Sequence, residues 1–133
     1  VDSGIPCIIA NGRTKGILKT LAEDPGSKGT LFVPKDAPLN ERDRWMAFST
    51  KPRGSILVDA GAQQALGKKK SLLAVGVVAV NGTFKDGDVV AICCRDGAEF
   101  GRGKVALSSD ELNRVKGSHC EREVIHCDNI VIL

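Results

Sequence analysis

The sequence predicts a mainly β protein: a small pseudo-barrel with two short helices, preceded by a strand–helix–strand segment of an α/β domain. Short apolar runs recur after residue 54 at spacings of about 8–12 residues, with turn residues between them. The stretch 71–90, SLLAVGVVAVNGTFKDGDVV, holds an apolar run, a Gly-bearing turn, a lone Phe and a second apolar run. Residues 1–33 instead place a helical pattern between two apolar runs.

The composition is that of an ordinary globular protein. Apolar residues make up 42% and charged residues 26% of the 133 positions, which is enough for a core and argues against disorder. The net charge of +3 permits phosphate binding without requiring it, and the aromatic content of 4% is low for a protein that stacks bases. Five irregularly spaced Cys fit a reducing cytoplasm. No apolar run is long enough for a membrane helix, so no membrane partner is predicted.

The first segment has the pattern of a βαβ unit. Residues 5–10, IPCIIA, are typical of a strand buried on both faces of a parallel sheet. The turn 11–16, NGRTKG, could bind phosphate, but it lacks a Gly-rich motif and is predicted to be a plain turn. A helix over 17–24 and a strand over 30–33 follow. Such a unit cannot bury its own faces, and the chain begins at Val1, so we expect a fragment of a longer protein.

Residues 34–53 predict a linker, because they are polar and hold three Pro. A short helix is predicted around 41–48. We expect Trp45, the only Trp, to anchor the linker to a domain, with stacking against a base as the alternative.

From Gly54 onward the pattern predicts the barrel. A strand over 55–58 leads to Asp59, a candidate N-cap for a helix over 60–67 with Ala62, Ala65 and Leu66 on its apolar face. A lysine loop, 68–70, precedes a strand over 72–80. Within that run Gly76 predicts a bend or bulge, Asn81-Gly82 predicts a turn, and Phe84 is expected to fill the barrel.

The last third of the chain predicts more strands and one helix. Residues 89–94 form a strand, with one of Cys93 and Cys94 facing the core and the other facing out. Residues 98–107 predict another strand pair, and 129–133 a final strand. Between them, Ser109 is the candidate N-cap of a helix that ends at Gly117.

Two His-Cys pairs, His119-Cys120 and His126-Cys127, raise the question of a metal site. Adjacent residues on a strand point to opposite faces, so each pair is expected to supply one ligand rather than two, and no CxxC motif is present. We therefore predict no metal site.

Several segments together resemble known families. DAGAQQAL (59–66), the stretch 71–90, GRGKVALSSDELNRVKG (101–117) and VIHCDNIVIL (124–133) resemble the PUA domain, a pseudo-barrel common in RNA-modifying proteins. SGIPCIIANG (3–12), KGTLFVP (28–34), LNERDRWMAF (39–48) and VDAGAQQAL (58–66) resemble the C-terminal part of the glutamate 5-kinase family. Two departures are a short region after Gly117 and Cys127 in place of an Arg that the family often carries.

The resemblance implies a domain organisation and an activity for the whole enzyme. Residues 1–33 would be the last strand, helix and strand of an amino-acid-kinase domain, 34–53 a linker, and 54–133 a PUA domain. The family phosphorylates the γ-carboxylate of glutamate with ATP and Mg²⁺, a step toward proline. Its catalytic motifs lie earlier in the family's chain, so the fragment is expected to be inactive and to hold no cofactor. Its implied role is regulation and assembly, with the remainder of the kinase chain and a homo-oligomer as partners.

An alternative function is also implied. In RNA-binding PUA domains the RNA lies along the first helix and the following strand, which here means residues 59–76. Structured RNA is therefore a candidate partner of this chain. The candidate RNA contacts are Lys68, Lys69, Lys70, Ser71, Gly76, Arg102 and Lys104.

Overall fold

The computed structural model describes residues 4–34, 39–119 and 122–133. The chain divides into two compact units, residues 1–44 and 45–133. Cys120 and part of the predicted linker lie outside the described residues.

The first unit contains the predicted strand, helix and strand. They are β1 (Cys7–Ile9), α1 (Ile17–Glu23) and β2 (Thr30–Phe32), followed by α2 (Glu41–Arg44). The predicted parallel direction of the two strands is wrong. β1 and β2 are antiparallel, with Cys7 opposite Phe32, and no residue described in this unit is buried. Two strands of three residues and one helix carry too few side chains to enclose a core.

The second unit begins with a helix within the predicted range. Residues Trp45–Ser49 form one π-helical turn, in which the Thr50 amide donates to the Trp45 carbonyl at 3.1 Å. Met46 and Ala47 are buried, whereas Trp45 is 52% exposed. The buried contact expected at Trp45 is therefore made by the next two residues, Met46 and Ala47.

A five-stranded sheet forms the main body of the second unit. Its strands are β3 (Gly54–Val58), β5 (Val77–Gly82), β6 (Val89–Cys93), β7 (Glu99–Lys104) and β9 (Ile130–Ile132), in the order β5-β3-β6-β7-β9. β3 and β6 are parallel, and the other neighbours are antiparallel. The predicted strand pair over 98–107 is a single strand, because β7 pairs with β6 on one side and β9 on the other.

The apolar run 72–80 is interrupted, as Gly76 predicted. β4 (Leu72–Leu73) is followed by a 3₁₀ turn (Ala74–Gly76) before β5 begins. A Cβ on Gly76 would lie 2.5 Å from the Cβ of Ala62, so only Gly permits this close approach. β4 pairs with β8 (Glu123–Ile125), which the sequence did not predict.

Two short helices pack on the strands, as predicted. α3 (Ala60–Gly67) begins at Asp59, whose Oδ1 accepts a hydrogen bond from the Ala62 amide at 2.7 Å. α4 (Ser109–Val115) begins at Ser108, one residue before the predicted cap. Ser109 is buried instead, where its hydroxyl accepts from the Phe84 amide at 3.4 Å.

The core of the second unit lies between the sheet, the β4–β8 pair and the two helices. Phe84 is 2% exposed, as expected for a residue that fills the barrel. Cys93 is buried and Cys94 half-buried, also as predicted. The other core residues are Ile56, Val58, Leu66, Leu72, Ala74, Val77, Val90, Ile92, Val105, Leu107, Leu112, Val124 and Ile125.

Among the described residues, every helix is too short or too polar to cross a membrane.

Candidate binding site

A shallow cleft of about 430 Å³ lies beside α3. One wall is the start and middle of the helix, and the other is the segment that leads through β4 into the 3₁₀ turn. The lining residues are Asp59, Gly61, Ala62, Ala65, Lys70, Ser71, Leu73, Val75 and Gly76. The cleft thus falls within the surface 59–76 to which the family resemblance pointed.

Small residues shape the floor of this cleft. Gly61, Ala62 and Ala65 leave the helix backbone close to the surface. The Asp59 amide donates to the Gly76 carbonyl at 3.0 Å, which ties the start of α3 to the opposite wall. A planar or backbone-like group could therefore approach the helix backbone closely at these three residues.

The three lysines follow the C-terminal end of α3. Their amides donate to helix carbonyls, that of Lys70 to Ala65 at 3.0 Å and that of Lys69 to Leu66 at 3.0 Å. Lys69 takes a left-handed conformation, with φ of 57°, to make this turn. All three residues are exposed, and Lys70 also lines the cleft. Cations at this end of a helix also complement its dipole.

Ser71 connects the cleft to a second element. Its hydroxyl accepts a hydrogen bond from the Cys127 amide at 3.0 Å. This bond joins the wall of the cleft to the turn that precedes β9. The position of Lys70 is therefore supported on both sides, by the helix end and by Ser71.

Arg102 and Lys104 do not belong to the lining of the cleft. The Arg102 Nε lies 2.7 Å from Glu99 Oε1, and its Nη1 donates to the Thr50 carbonyl at 3.0 Å. Arg102 thus has protein partners of its own. Lys104 lies at the end of β7, exposed and opposite Val89. Of the seven candidate contacts, the structure brings Lys70, Ser71 and Gly76 together, with Lys68 and Lys69 beside them.

A second groove, which the sequence did not predict as a site, follows the π-helical turn. Its lining residues are Trp45, Ser49, Thr50, Lys51, Pro52 and Arg53. The Thr50 hydroxyl is buried with no hydrogen-bond partner among the described residues. Its lining includes one exposed aromatic ring and two cations, and it is more polar than the cleft beside α3.

The turn 11–16 has its own internal hydrogen bonds. The Thr14 amide donates to the Asn11 carbonyl at 3.1 Å, and the Arg13 amide to Asn11 Oδ1 at 3.0 Å. These amides are occupied within the turn, which favours the plain turn over a phosphate site.

The thiols differ in their surroundings. Burial raises the pKa of Cys93, with the nearby charge of Glu99 as a further cause. A buried thiol of raised pKa is a poor nucleophile, so Cys93 is best explained as a core residue.

The family model described as the PUA domain matches residues 54–127. This range contains the whole cleft beside α3 and ends in the turn that Ser71 holds.

Curated relatives match nearly the whole chain. Glutamate 5-kinase of Pelobacter propionicus is 43% identical over 98% of this chain, and that of Dictyoglomus thermophilum 40% identical over 99%. The chain spans 38% and 39% of the length of these two relatives.

Solved structures share the fold. A PUA domain of Aeropyrum pernix K1, crystallised with tartrate, aligns with a TM-score of 0.54 and 22% identity, over 93% of this chain and 86% of that one. A PUA domain protein of Thermoplasma acidophilum aligns with a TM-score of 0.52 and 13% identity, over 97% and 92%. At these identities the likeness concerns the fold.

Proposed function

Because this chain belongs to the PUA domain family, we propose that it is the C-terminal part of a glutamate 5-kinase and serves regulation and assembly there. The observation that carries this proposal is the 43% identity to such a kinase over 98% of the chain. The similarity covers both units, so it includes more than the PUA domain. The parent enzyme would transfer phosphate from ATP to the γ-carboxylate of glutamate, in the cytoplasm and toward proline.

The first unit supports this proposal through its surface. Ile5, Ile9 and Leu18 are 65%, 63% and 82% exposed, and Val33 is 70% exposed. Apolar side chains at this density are usually covered by a neighbouring part of the protein. We propose that residues 1–33 complete an amino-acid-kinase domain, that 34–53 form the linker, and that 54–133 are the PUA domain. The second half of this linker, from Trp45 onward, folds as part of the second unit.

The same proposal assigns the cofactors and partners. ATP and Mg²⁺ would bind to the remainder of the kinase chain and not to these 133 residues. The remainder of that chain is the first partner, and a second copy of the enzyme is the other.

An assay of glutamate-dependent ADP release tests this function. The full-length parent enzyme should release ADP when glutamate is present, and the 133-residue chain alone should not. Removal of residues 54–133 from the parent enzyme should change the rate, its control by metabolites or the oligomeric state. An inert full chain would contradict the kinase assignment. A truncated enzyme with unchanged rate, control and assembly would contradict the regulatory role.

A second candidate function is binding of structured RNA at the cleft beside α3. The observation in its favour is an apolar cleft with Lys68, Lys69 and Lys70 at one end. Small residues in its floor suit recognition by shape, and lysines suit phosphates. Ser71 and Gly76 would contact the RNA backbone in the cleft, and Arg102 and Lys104 would extend the contact only if the RNA reaches β7.

Binding of a folded RNA at several salt concentrations tests this candidate. Affinity should fall steeply between about 50 and 200 mM salt, because phosphate contacts release counterions. Replacing all three lysines with Ala should reduce the salt slope by about one per lysine that contacts a phosphate. Lys85→Ala, an exposed lysine outside the cleft, is the control. Binding that is absent, or unchanged in the triple variant, would remove this function.

A further inference from the structure

We propose that His126, Cys127 and Asp128 form a binding site for a divalent transition-metal ion of the zinc type. This site is independent of the kinase and RNA proposals. It differs from the expectation drawn from the sequence, which assumed that these residues lie on a strand. The structure instead places Cys127–Asn129 in a 3₁₀ turn between β8 and β9.

The turn brings three different ligand atoms to one side. The His126 ring folds back over the turn, where its Nδ1 accepts a hydrogen bond from the Asp128 amide at 3.2 Å. Nδ1 lies 3.6 Å from Asp128 Oδ2, and the Cys127 Sγ lies 3.8 Å from Nδ1 and 3.8 Å from Asp128 Oδ1. In a tetrahedral zinc site with bonds of about 2.0–2.3 Å, ligand atoms lie roughly 3.3–3.6 Å apart. Each pair of side chains thus has ligand atoms within a few tenths of an ångström of that spacing, although His126 and Cys127 approach different oxygens of Asp128. With one atom taken from each residue, all three lie within 4.8 Å of one another, so a small rotation of the Asp128 carboxylate completes the set.

The backbone around these side chains is held from both sides. The Cys127 amide donates to the Ser71 hydroxyl at 3.0 Å, and the Asn129 amide donates to the His126 carbonyl at 2.8 Å. Ordering a metal site costs less when its backbone is already in place. The turn supplies that order before any ion binds.

The chemistry of the three ligands selects the class of ion. Imidazole nitrogen and thiolate sulfur favour zinc-type ions over Mg²⁺ and Ca²⁺, which prefer oxygen. The His126 and Asp128 side chains are 49% and 80% exposed, so an ion can reach them, and water can take the fourth position. On binding, the thiol proton leaves to solvent, and the metal replaces the hydrogen bond that Nδ1 accepts from the Asp128 amide.

Among the described residues, no other group of three His, Cys, Asp or Glu side chains meets in this way. The Ser71 hydroxyl also joins this turn to the wall of the cleft beside α3. An ion at His126–Asp128 would stiffen the turn on which the Ser71 hydrogen bond depends.

Titration of the 133-residue chain, without a histidine tag, with Co²⁺ tests the site. Co²⁺ replaces Zn²⁺ and reports thiolate ligation through a charge-transfer band, which Zn²⁺ should then abolish by displacement. Cys127→Ser should lose the band, and Asp128→Asn and His126→Ala should weaken Co²⁺ binding by at least about 10–100-fold, since losing a ligand should cost no less than losing a group that only supports one. Two other cysteine variants are the controls. Cys94→Ser removes a half-buried thiol and Cys7→Ser an exposed one, both outside the proposed site.

Circular dichroism of each variant separates loss of the site from loss of the fold, and Asp128→Asn keeps the Asp128 amide that His126 caps. The proposal is overturned if the wild-type chain shows no band, or if the band survives in Cys127→Ser. It is also overturned if the two other ligand variants bind Co²⁺ as tightly as wild type, since a single thiol would then explain the band.

Discussion

Gly76 is the residue at which the fold of the cleft depends most on the absence of a side chain. A Cβ there would lie 2.5 Å from the Cβ of Ala62, on a helix whose start is tied to Gly76 by a backbone hydrogen bond. We expect Gly76→Ala to lower the free energy of unfolding by about 1–3 kcal/mol, as overpacking does in other cores. Urea unfolding measures it.

The matched control for this substitution is Gly67→Ala at the end of α3. An added Cβ at Gly67 meets nothing within 4 Å, so the change should be neutral or stabilise by about 0.5–1 kcal/mol. Equal stabilities of the two variants would show that the close contact at Gly76 relaxes without cost.

Glu111 is the residue that should make stability depend on pH. Hydrogen bonds from the Ser108 amide and then the Ser108 hydroxyl hold the pKa of Glu111 below its ordinary value of 4.5. A lowered folded-state pKa means that this carboxylate stabilises the fold above pH 4.5, and that its contribution is lost as the pH falls through the lowered value. Glu111→Gln keeps a capping residue but removes the titration.

Urea unfolding of wild type and Glu111→Gln at pH 7 and at several values below 4.5 measures this effect. The wild type should lose more stability over that range than the variant. Parallel curves would show that the carboxylate contributes nothing to the pH dependence.

At the residue scale, the sequence predicted hydrogen bonds between near neighbours in the chain, but not which side chains are buried or paired by the tertiary structure. Asp59 was correctly predicted as a cap because its side chain serves an amide three residues away. Ser108 and Ser109 are adjacent, and the pattern could not show which of them caps the helix and which is buried in the core. The ion pair of Arg102 with Glu99 was also hidden, because it follows from a bulge in β7 where Phe100 is the extra residue.

The element whose start can be tested most directly is α4. Ser108 accepts from the Glu111 amide and its own amide donates to the Glu111 carboxylate, so both partners of a capping box are present. Ser108→Ala should therefore lower the free energy of unfolding by about 1 kcal/mol. Thermal or urea unfolding measures the change.

Ser118→Ala, just after the same helix, is the control. Its hydroxyl donates to the Val115 carbonyl and satisfies no amide at the helix start, so its loss should stay within about 0.5 kcal/mol. If Ser108→Ala were as mild as Ser118→Ala, the box would not stabilise α4.

At the element scale, strands with strong apolar runs were predicted and short or distant partners were missed. β8 has three residues, and its partner Leu72 lies far away in sequence, so no local pattern marks the pair. The 3₁₀ turn after β8 was missed for the same reason, and with it the approach of His126, Cys127 and Asp128. For β1 and β2, the apolar run gave the strands but not their antiparallel direction.

The whole molecule combines two units of very different burial. All five residues of β6 are buried, and this strand lies between β3 and β7 in the sheet. In the first unit, by contrast, none of the described residues is buried. The overall class was predictable because turns and apolar runs recur through the second unit. The exposed surface of the first unit was expected as well, since one strand–helix–strand segment cannot enclose its own apolar faces.

Native-state hydrogen exchange should report this difference in burial directly. Amides of Val89–Cys93 should exchange slowest, through global unfolding, whereas those of Cys7–Ile9 should exchange by local opening at rates orders of magnitude faster. A chain of residues 45–133 is the control and should keep the protection of β6, because its core residues all lie within that range. Slow exchange of β1 in the 133-residue chain would mean that the first unit is stabilised in a way its burial does not show, for instance by a second copy of the chain.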